Sequence, residues 1–129
     1  MTYLEAVDFL FTKLPMFQRL GPAAYKANLD GTIAVCKLLD NPENDLQFIH
    51  VAGTNGKGTV SHMVAAVLQE AGYKTGLFTS PHLVDFRERI RLNGEKIPES
   101  KVVDFVDKYS DTWGEPSFFE LPFGMALQY

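Results

Sequence analysis

An apolar run in the middle of this chain leads directly into a glycine-rich turn, and the turn leads into a helix. Residues 46–52 are mostly apolar and predict a buried β-strand. After the turn, apolar residues recur at helical spacing until Gly72, which stands where a helix-terminating glycine belongs. Residues 74–79 predict a second strand, so that 46–79 would form a right-handed β-α-β unit. The predicted fold is therefore of the α/β class, with a parallel sheet and flanking helices.

The turn has the composition of a loop that binds the phosphates of a nucleotide. Its residues are Gly53, Thr54, Asn55, Gly56, Lys57, Gly58 and Thr59. Glycines accept positive φ and let backbone N–H groups approach an anion, and a helix N-terminus adds a favourable dipole. The sequence departs from the usual pattern G-x-x-x-x-G-K-[ST], because Gly58 separates Lys57 from Thr59 and Val51 replaces the first glycine. An ordinary glycine-rich turn between strand and helix is the alternative.

The composition limits the class of protein and its partners. The chain has 129 residues, of which 46% are hydrophobic and 22% charged, and this predicts one globular domain. Twelve basic and sixteen acidic residues give a net charge of −4, which argues against a nucleic-acid partner. The N-terminus lacks the features of a signal peptide, and no segment has the roughly 18 apolar residues that span a bilayer, so we expect no membrane partner. With Cys36 as its single cysteine, we expect a cytoplasmic protein.

The first part of the chain carries clear helix signals. Thr2 and Glu5 form a capping box, which predicts a helix that continues to Pro15. A second helix is predicted over residues 24–39, ended by Asn41-Pro42. The loop between them, residues 15–22, is unusually apolar, and it either contacts a ligand or packs on its own domain.

The last part of the chain predicts a hairpin and further helix. Asn93-Gly94 is a strong signal for a two-residue hairpin between residues 89–92 and 95–97. Pro98-Glu99 predicts the start of the helix that follows. Within the predicted strand 46–52, His50 is more consistent with a buried structural role than with a catalytic one.

Several of these stretches together resemble the folylpolyglutamate synthase/dihydrofolate synthase family, the folate branch of the Mur ligase superfamily. The stretches are residues 49–59, 71–73, 79–83 and 88–91, followed by Phe119-Glu120. The resemblance covers essentially the whole chain but only the first part of a family member. It implies that residues 1–129 are the N-terminal part of an ATP-binding domain, and that the C-terminal glutamate-binding domain is absent from this chain.

The resemblance also implies an activity and a set of site residues. Family members use ATP to join L-glutamate to folate, or to dihydropteroate in bifunctional members, through an acyl-phosphate intermediate. By the resemblance, Lys57 is catalytic, the residues 53–59 bind ATP, and Thr59, Ser80 and Glu120 hold Mg²⁺. From the residues alone, Glu120 lies in an apolar stretch and needs a partner, because an unpaired buried carboxylate is costly. That partner is either a metal ion or an arginine such as Arg87 or Arg89.

Other interpretations stay open at this point. Residues 82–91 match a loop that approaches the folate in the family, although alternating charges also suit a solvated face. A peptidoglycan-type Mur ligase is a second enzyme class, disfavoured by Gly58 and by Ser80-Pro81-His82. A stand-alone nucleotide-binding module is the third reading. Because the resemblance places a third metal ligand, a modified lysine and the glutamate-binding domain outside this chain, it implies that the chain by itself is inactive. Because only two parallel strands are predicted, fewer than a stable sheet needs, we also expect the chain to self-associate.

Overall fold

The computed structural model describes residues 1–14, 29–114 and 118–129. The helices are α1 (Tyr3–Lys13), α2 (Asp30–Leu38), α3 (Lys57–Glu70), α4 (Glu99–Tyr109) and α5 (Glu120–Gln128). The strands are β1 (Gly76–Phe78), β2 (Ile90–Leu92) and β3 (Glu95–Lys96). Two 3₁₀ turns cover Pro42–Asp45 and Phe86–Arg89. The described residues therefore combine helices and a small sheet, which confirms the α/β class.

Helix α1 begins as its capping box predicts. The Thr2 side chain accepts a hydrogen bond from the Glu5 backbone N–H, and the Glu5 carboxylate accepts one from the Thr2 N–H at 2.7 Å. The buried residues Ala6 and Leu10 lie on the face that packs against α4. Local capping and a buried apolar face together explain why this segment is helical.

The sheet is an antiparallel meander in the order β1-β2-β3. The predicted turn at Asn93-Gly94 joins β2 to β3, and both residues have positive φ, 49° and 83°. Such a turn matches the twist of the flanking strands. The Asn93 side chain also accepts a hydrogen bond from the Thr75 N–H at 2.8 Å, which fixes the start of β1. The hairpin and the following helix α4 are confirmed.

The predicted β-α-β unit is not formed. Residues 46–52 pair with no strand in the described ranges, and Phe48, Ile49 and His50 are exposed. The prediction of a buried strand, and of a structural role for His50 inside it, was therefore wrong for this chain. The reason is that an apolar run becomes a strand only beside a partner strand, whereas the strand β1 pairs with β2 in the antiparallel sense.

Helix α2 covers the later part of the second predicted helix. It begins at Asp30, while residues 24–28 and the apolar loop 15–22 lie outside the described residues. The chain leaves this helix through Asp40 and Asn41, which adopt left-handed φ values of 62° and 52° before Pro42. This agrees with the predicted end of the helix.

The core lies between α1, α4, α5 and the hairpin. Its fully buried side chains include Leu10, Ile90, Ile97, Val102, Val106, Phe118, Leu121 and Met125. Helix α2 is held against α5 at Gly124, where a side chain would meet Val35 and Leu39. Helix α3 contributes only Ala65 to the buried set of the described residues, so it lies at the margin of this core. Among the described residues, none of the helices is both long and apolar enough to span a bilayer.

Candidate functional site

The glycine-rich loop runs into the N-terminus of α3, as predicted. Gly56 is the residue before the helix and has φ 75°, a conformation that glycine adopts without steric cost. Within the described residues no side chain caps this helix, so its first N–H groups remain available as donors to an anion. Gly58 lies inside the first turn of the helix with no positive φ, so its backbone adopts a conformation that other residues could also take.

Lys57 is the first residue of α3 and closes the loop. Its Nζ donates to the carbonyl oxygen of Gly53 at 2.6 Å, so the positive charge is held beside the loop backbone. The side chains of Thr54, Asn55 and Thr59 are exposed around it. The arrangement gathers a cation, exposed hydroxyls and helix N–H groups within seven consecutive residues, which suits a polyphosphate.

The other predicted ligands lie on neighbouring elements. Ser80 is exposed, two residues after β1 ends. Glu120 is the half-buried first residue of α5. Helix α5 packs on β1, where the rings of Phe123 and Phe78 lie 5.6 Å apart, and α3 packs on β1 as well. The elements that carry Thr59, Ser80 and Glu120 therefore meet around one strand.

The carboxylate of Glu120 lies directly against Gly31 of α2. A side chain at position 31 would collide with the Glu120 carboxyl group, so glycine leaves the room that this carboxylate occupies. The donors of the predicted metal site, two hydroxyls and one carboxylate, are hard oxygens of the kind that Mg²⁺ takes together with substrate phosphates. In the described parts of the chain, no three acidic, histidine or cysteine residues cluster as a metal site. The donor set fits Mg²⁺ only if phosphate oxygens and waters complete it.

The arginines of residues 87–91 are not the solvated face that their alternation suggests. Arg87 forms ion pairs with Asp85 at 2.9 Å and with Glu99 at 3.6 Å. Arg89 is only 2% exposed, and its guanidinium lies 5.0 Å from the centre of the Phe118 ring. Its Nε donates to His82 Nδ1 at 2.7 Å. The alternating charges therefore correspond to two ion pairs of Arg87 and to one buried cation, Arg89.

His82 takes its environment from that buried cation. Burial lowers the pKa of its imidazole, and the Arg89 charge lowers it further. Because Nδ1 accepts the hydrogen bond from Arg89, the neutral ring carries its proton on Nε2. The ring also lies edge-on to Phe11 and Phe86.

Asp85 and Glu88 are functional candidates that sequence reasoning missed. They form a second capping box, around the 3₁₀ turn Phe86–Arg89. The sequence carried a signal for this box, because a capping residue is followed three positions later by a glutamate, as in Thr2 and Glu5. The Asp85 carboxylate further accepts from Tyr3, Arg87 and Lys96, and these donors hold its pKa well below the usual range.

A cavity of about 350 Å³ lies between α3 and the sheet. It is lined by His62, Ala65, Ala66, Gln69, Thr75, Leu77, Arg91 and Gly94. None of the predicted site residues lines it, so the cavity is separate from the loop at the start of α3.

The chain is similar to curated proteins of one kind. It is 41% identical, over 138 aligned residues, to a probable bifunctional folylpolyglutamate synthase/dihydropteroate synthase of Haloferax volcanii, matching 100% of this chain and 15% of that protein. It is 37% identical over 99 residues to a dihydrofolate synthase/folylpolyglutamate synthase of Bacillus subtilis, matching 70% of this chain and 23% of that protein. The chain thus spans less than a quarter of these relatives. No protein-family model matches it.

Solved structures give the same result. A folylpolyglutamate synthase of Thermotoga maritima superposes with a TM-score of 0.83 at 36% identity, over 98% of this chain and 30% of that one. An FPGS–AMPPCP–folate complex superposes with a TM-score of 0.82 at 28% identity, over 100% of this chain and 32% of that one. As the resemblance implied, the match covers this chain and only part of each neighbour.

Proposed function

We propose that this chain, which belongs to the folylpolyglutamate synthase/dihydrofolate synthase family, carries the phosphate-binding part of an ATP-dependent ligase. The ligase joins L-glutamate to folate and, in a bifunctional protein, to dihydropteroate. The observation that carries the proposal is the uncapped N-terminus of α3 with Lys57 held beside Gly53. We assign residues 1–129 to the N-terminal part of the ATP-binding domain of a cytoplasmic enzyme, and glutamate binding to a further domain.

The reaction proceeds in two steps. The substrate carboxylate attacks the γ-phosphorus of ATP, which forms an acyl phosphate and releases ADP. The amine of glutamate then attacks the acyl carbon, which forms the amide and releases inorganic phosphate and a proton. The residues of this chain act by positioning and by neutralising charge, as in most phosphoryl transfer.

Lys57 and the loop backbone perform that role. The N–H groups at the start of α3 donate to phosphate oxygens, and the Lys57 ammonium exchanges its contact with Gly53 for one with the β- and γ-phosphates. A structural neighbour was solved in complex with AMPPCP and folate, which supports nucleotide binding by this fold. Residues 53–59 together form the ATP-binding loop.

Thr59, Ser80 and Glu120 are the residues that would hold Mg²⁺. Their oxygens suit the ion, and their elements meet around β1. When bound, Mg²⁺ neutralises the charge that develops on the phosphate oxygens. Glu120 supplies the negative charge of the set, and the space beside Gly31 lets its carboxyl group take that position.

The deciding experiment measures ATP-dependent incorporation of labelled glutamate in the complete protein that contains this chain. Folate and dihydropteroate are offered in parallel with a muramyl nucleotide. Transfer to a folate supports the proposal, and transfer to the muramyl nucleotide would assign the protein to the peptidoglycan-type ligases. Nucleotide binding without transfer to any acceptor would favour a stand-alone nucleotide-binding module. The 129-residue chain alone is expected to be inactive.

A further inference from the structure

The loop that follows β1 keeps a defined shape without burying its own apolar side chains. Leu83 and Val84 are 90% and 91% exposed, among the most exposed large hydrophobic residues of the described chain. Hydrophobic burial therefore does not hold this segment in place, and its backbone needs another source of order. The segment matters because Ser80, a candidate oxygen ligand, is only three residues before Leu83.

The carboxylate of Glu88 supplies that order. It accepts hydrogen bonds from three successive backbone N–H groups, those of Leu83 at 3.0 Å, Val84 at 3.1 Å and Asp85 at 2.8 Å. Bonds to an ionised acceptor are the strong kind, and three on one side chain fix the local backbone. These bonds lower the pKa of Glu88 to about 2, so the carboxylate stays charged at neutral pH.

Both ends of the loop are tied to the rest of the molecule. At one end the His82 ring accepts from buried Arg89, the residue next to Glu88. At the other, Asp85 is bonded to Tyr3 of α1 and Lys96 of β3. Pro81 follows Ser80 directly, and its ring sterically restricts the backbone of the residue before it, which leaves little freedom for Ser80 to move independently.

We propose that Glu88 is a positioning residue, which shapes the backbone of Leu83–Asp85 and thereby fixes the Ser80 hydroxyl at the end of β1. The inference rests on the proposed function through the role given to Ser80. In this proposal Glu88 acts through the backbone N–H groups that its carboxylate binds and not by direct contact with a ligand. Replacing a residue that holds a metal ligand in place commonly weakens metal binding, although that residue does not contact the metal.

The first test reads the loop directly, by amide hydrogen exchange of the complete protein. Glu88→Gln keeps the shape of the side chain but removes its charge, and the amides of Leu83, Val84 and Asp85 are expected to exchange about tenfold faster or more. Glu5→Gln is the matched control, because it removes the same kind of capping carboxylate from α1. In that control the exchange at residues 83–85 stays as in the wild type. Unchanged exchange at these amides in Glu88→Gln would overturn the proposal.

The second test follows the Mg²⁺ dependence of ATP binding by calorimetry. The Glu88→Gln protein is expected to require at least about tenfold more Mg²⁺ for half-maximal ATP binding, as is common when a residue that supports a metal ligand is replaced. The Glu5→Gln protein should require the same Mg²⁺ concentration as the wild type. Glu88→Asp keeps the charge but shortens the side chain by one methylene. If the hydrogen bonds to the loop are required, the Glu88→Asp protein should show the same raised Mg²⁺ requirement as Glu88→Gln. If only the negative charge is required, its Mg²⁺ requirement should equal that of the wild type.

The outcomes separate this inference from the proposed function. Faster amide exchange with an unchanged Mg²⁺ requirement would show that the loop does not position Ser80. Wild-type behaviour of Glu88→Asp would show that only the charge of Glu88 matters. Either result would overturn the positioning role of Glu88 and leave the proposed function untouched. If the wild-type protein binds no ATP, the proposed function and the inference fall together. If ATP binds, Glu88→Gln acts as expected and no glutamate is transferred, the ligase activity fails while the positioning role stands.

Discussion

Lys57 and Arg89 are both cations, yet the fold gives them opposite environments. Lys57 is exposed at the start of α3, and its contact is a single backbone carbonyl of the loop. Arg89 is buried against Phe118 and His82, and burial lowers the pKa of its guanidinium while it stays charged. The exposed cation is free to exchange partners with a ligand, whereas the buried one holds the loop around His82.

Lys57→Ala is expected to lower ligation by the complete protein by about 100-fold or more, the usual cost of removing a donor to the charge of a transition state. The melting temperature should stay unchanged, because an exposed side chain contributes little packing. Lys74→Ala, at another exposed lysine, is the control and should leave the activity intact. Near-normal turnover in folded Lys57→Ala would remove Lys57 from the mechanism.

Glu88 makes the shape of its loop dependent on pH in a defined direction. Its pKa in the folded protein is about 2, below the ordinary value of 4.5, because of its hydrogen bonds with the N–H groups of Leu83, Asp85 and Val84. A lowered folded-state pKa contributes stability that is complete above pH 4.5 and is lost as the pH falls towards 2. The charge of His82 also lowers the pKa of Glu88. An NMR titration of the Glu88 carboxyl carbon should show its midpoint near 2, and a midpoint near 4.5 would contradict the hydrogen bonds described here.

Helices α2 and α5 approach closely because glycines lie at their contact. Gly124 of α5 leaves room for Val35 and Leu39 of α2, and Gly31 of α2 leaves room for the Glu120 carboxylate. The two glycines differ in what a side chain would displace. At Gly124 it would meet buried core groups, and at Gly31 it would meet the end of a flexible side chain.

Gly124→Ala is expected to lower the free energy of unfolding by about 1–3 kcal/mol, the usual cost of overpacking. The new Cβ would lie 2.5 Å from Val35 Cγ1, so α2 and α5 would have to separate. Gly58→Ala is the contrasting variant, since its Cβ would meet open space in a helical backbone. It should raise the free energy of unfolding by about 0.5–1 kcal/mol, and chemical denaturation of both variants measures the difference. Equal effects would contradict the packing described between α2 and α5.

Gly31→Ala tests the role of Glu120 while the carboxylate of Glu120 is retained. The added methyl group would push the Glu120 carboxyl group from its position, and Glu120→Gln would remove its charge. Both variants are expected to raise the Mg²⁺ concentration needed for half-maximal ligation by about tenfold or more. A Mg²⁺ titration of the complete enzyme measures this, with Gly124→Ala as the control for changes in α2–α5 packing. An unchanged Mg²⁺ requirement in both variants would make Glu120 a structural residue.

In the molecule as a whole, residues 46–52, which the sheet does not include, and helix α3 both carry exposed apolar side chains. Phe48 and Ile49 are exposed, as are Val60, Met63 and Val67 of α3. None of these side chains belongs to the hydrophobic core of the described residues. Clustered exposed apolar residues next to an unpaired backbone favour association with another chain or another segment.

The 129-residue chain expressed alone is therefore expected to self-associate in a concentration-dependent way. Sedimentation velocity measures this, and the double variant Phe48→Ser/Ile49→Ser should shift the chain towards monomer. Leu83→Ser/Val84→Ser is the matched control, because these residues are at least as exposed but are held by Glu88 in a separate loop. A wild-type chain that stays monomeric at high concentration would contradict the prediction.

Local signals in the sequence determined the local structure. The capping box of α1, the Asn93-Gly94 hairpin, the end of α2 and the glycine-rich entry to α3 were all predicted, because each depends on residues a few positions apart. The resemblance to the folate ligases was equally legible in short stretches of sequence. Other features became known only from the folded molecule. Residues 46–52 pair with no strand in the described ranges, and Arg89 is buried while Arg87 pairs with Asp85. The carboxylate of Glu88 binds the backbone of the loop after Ser80. Strand pairing and the burial of a charge depend on contacts with residues that are distant in the sequence. The local spacing of residues does not specify those contacts.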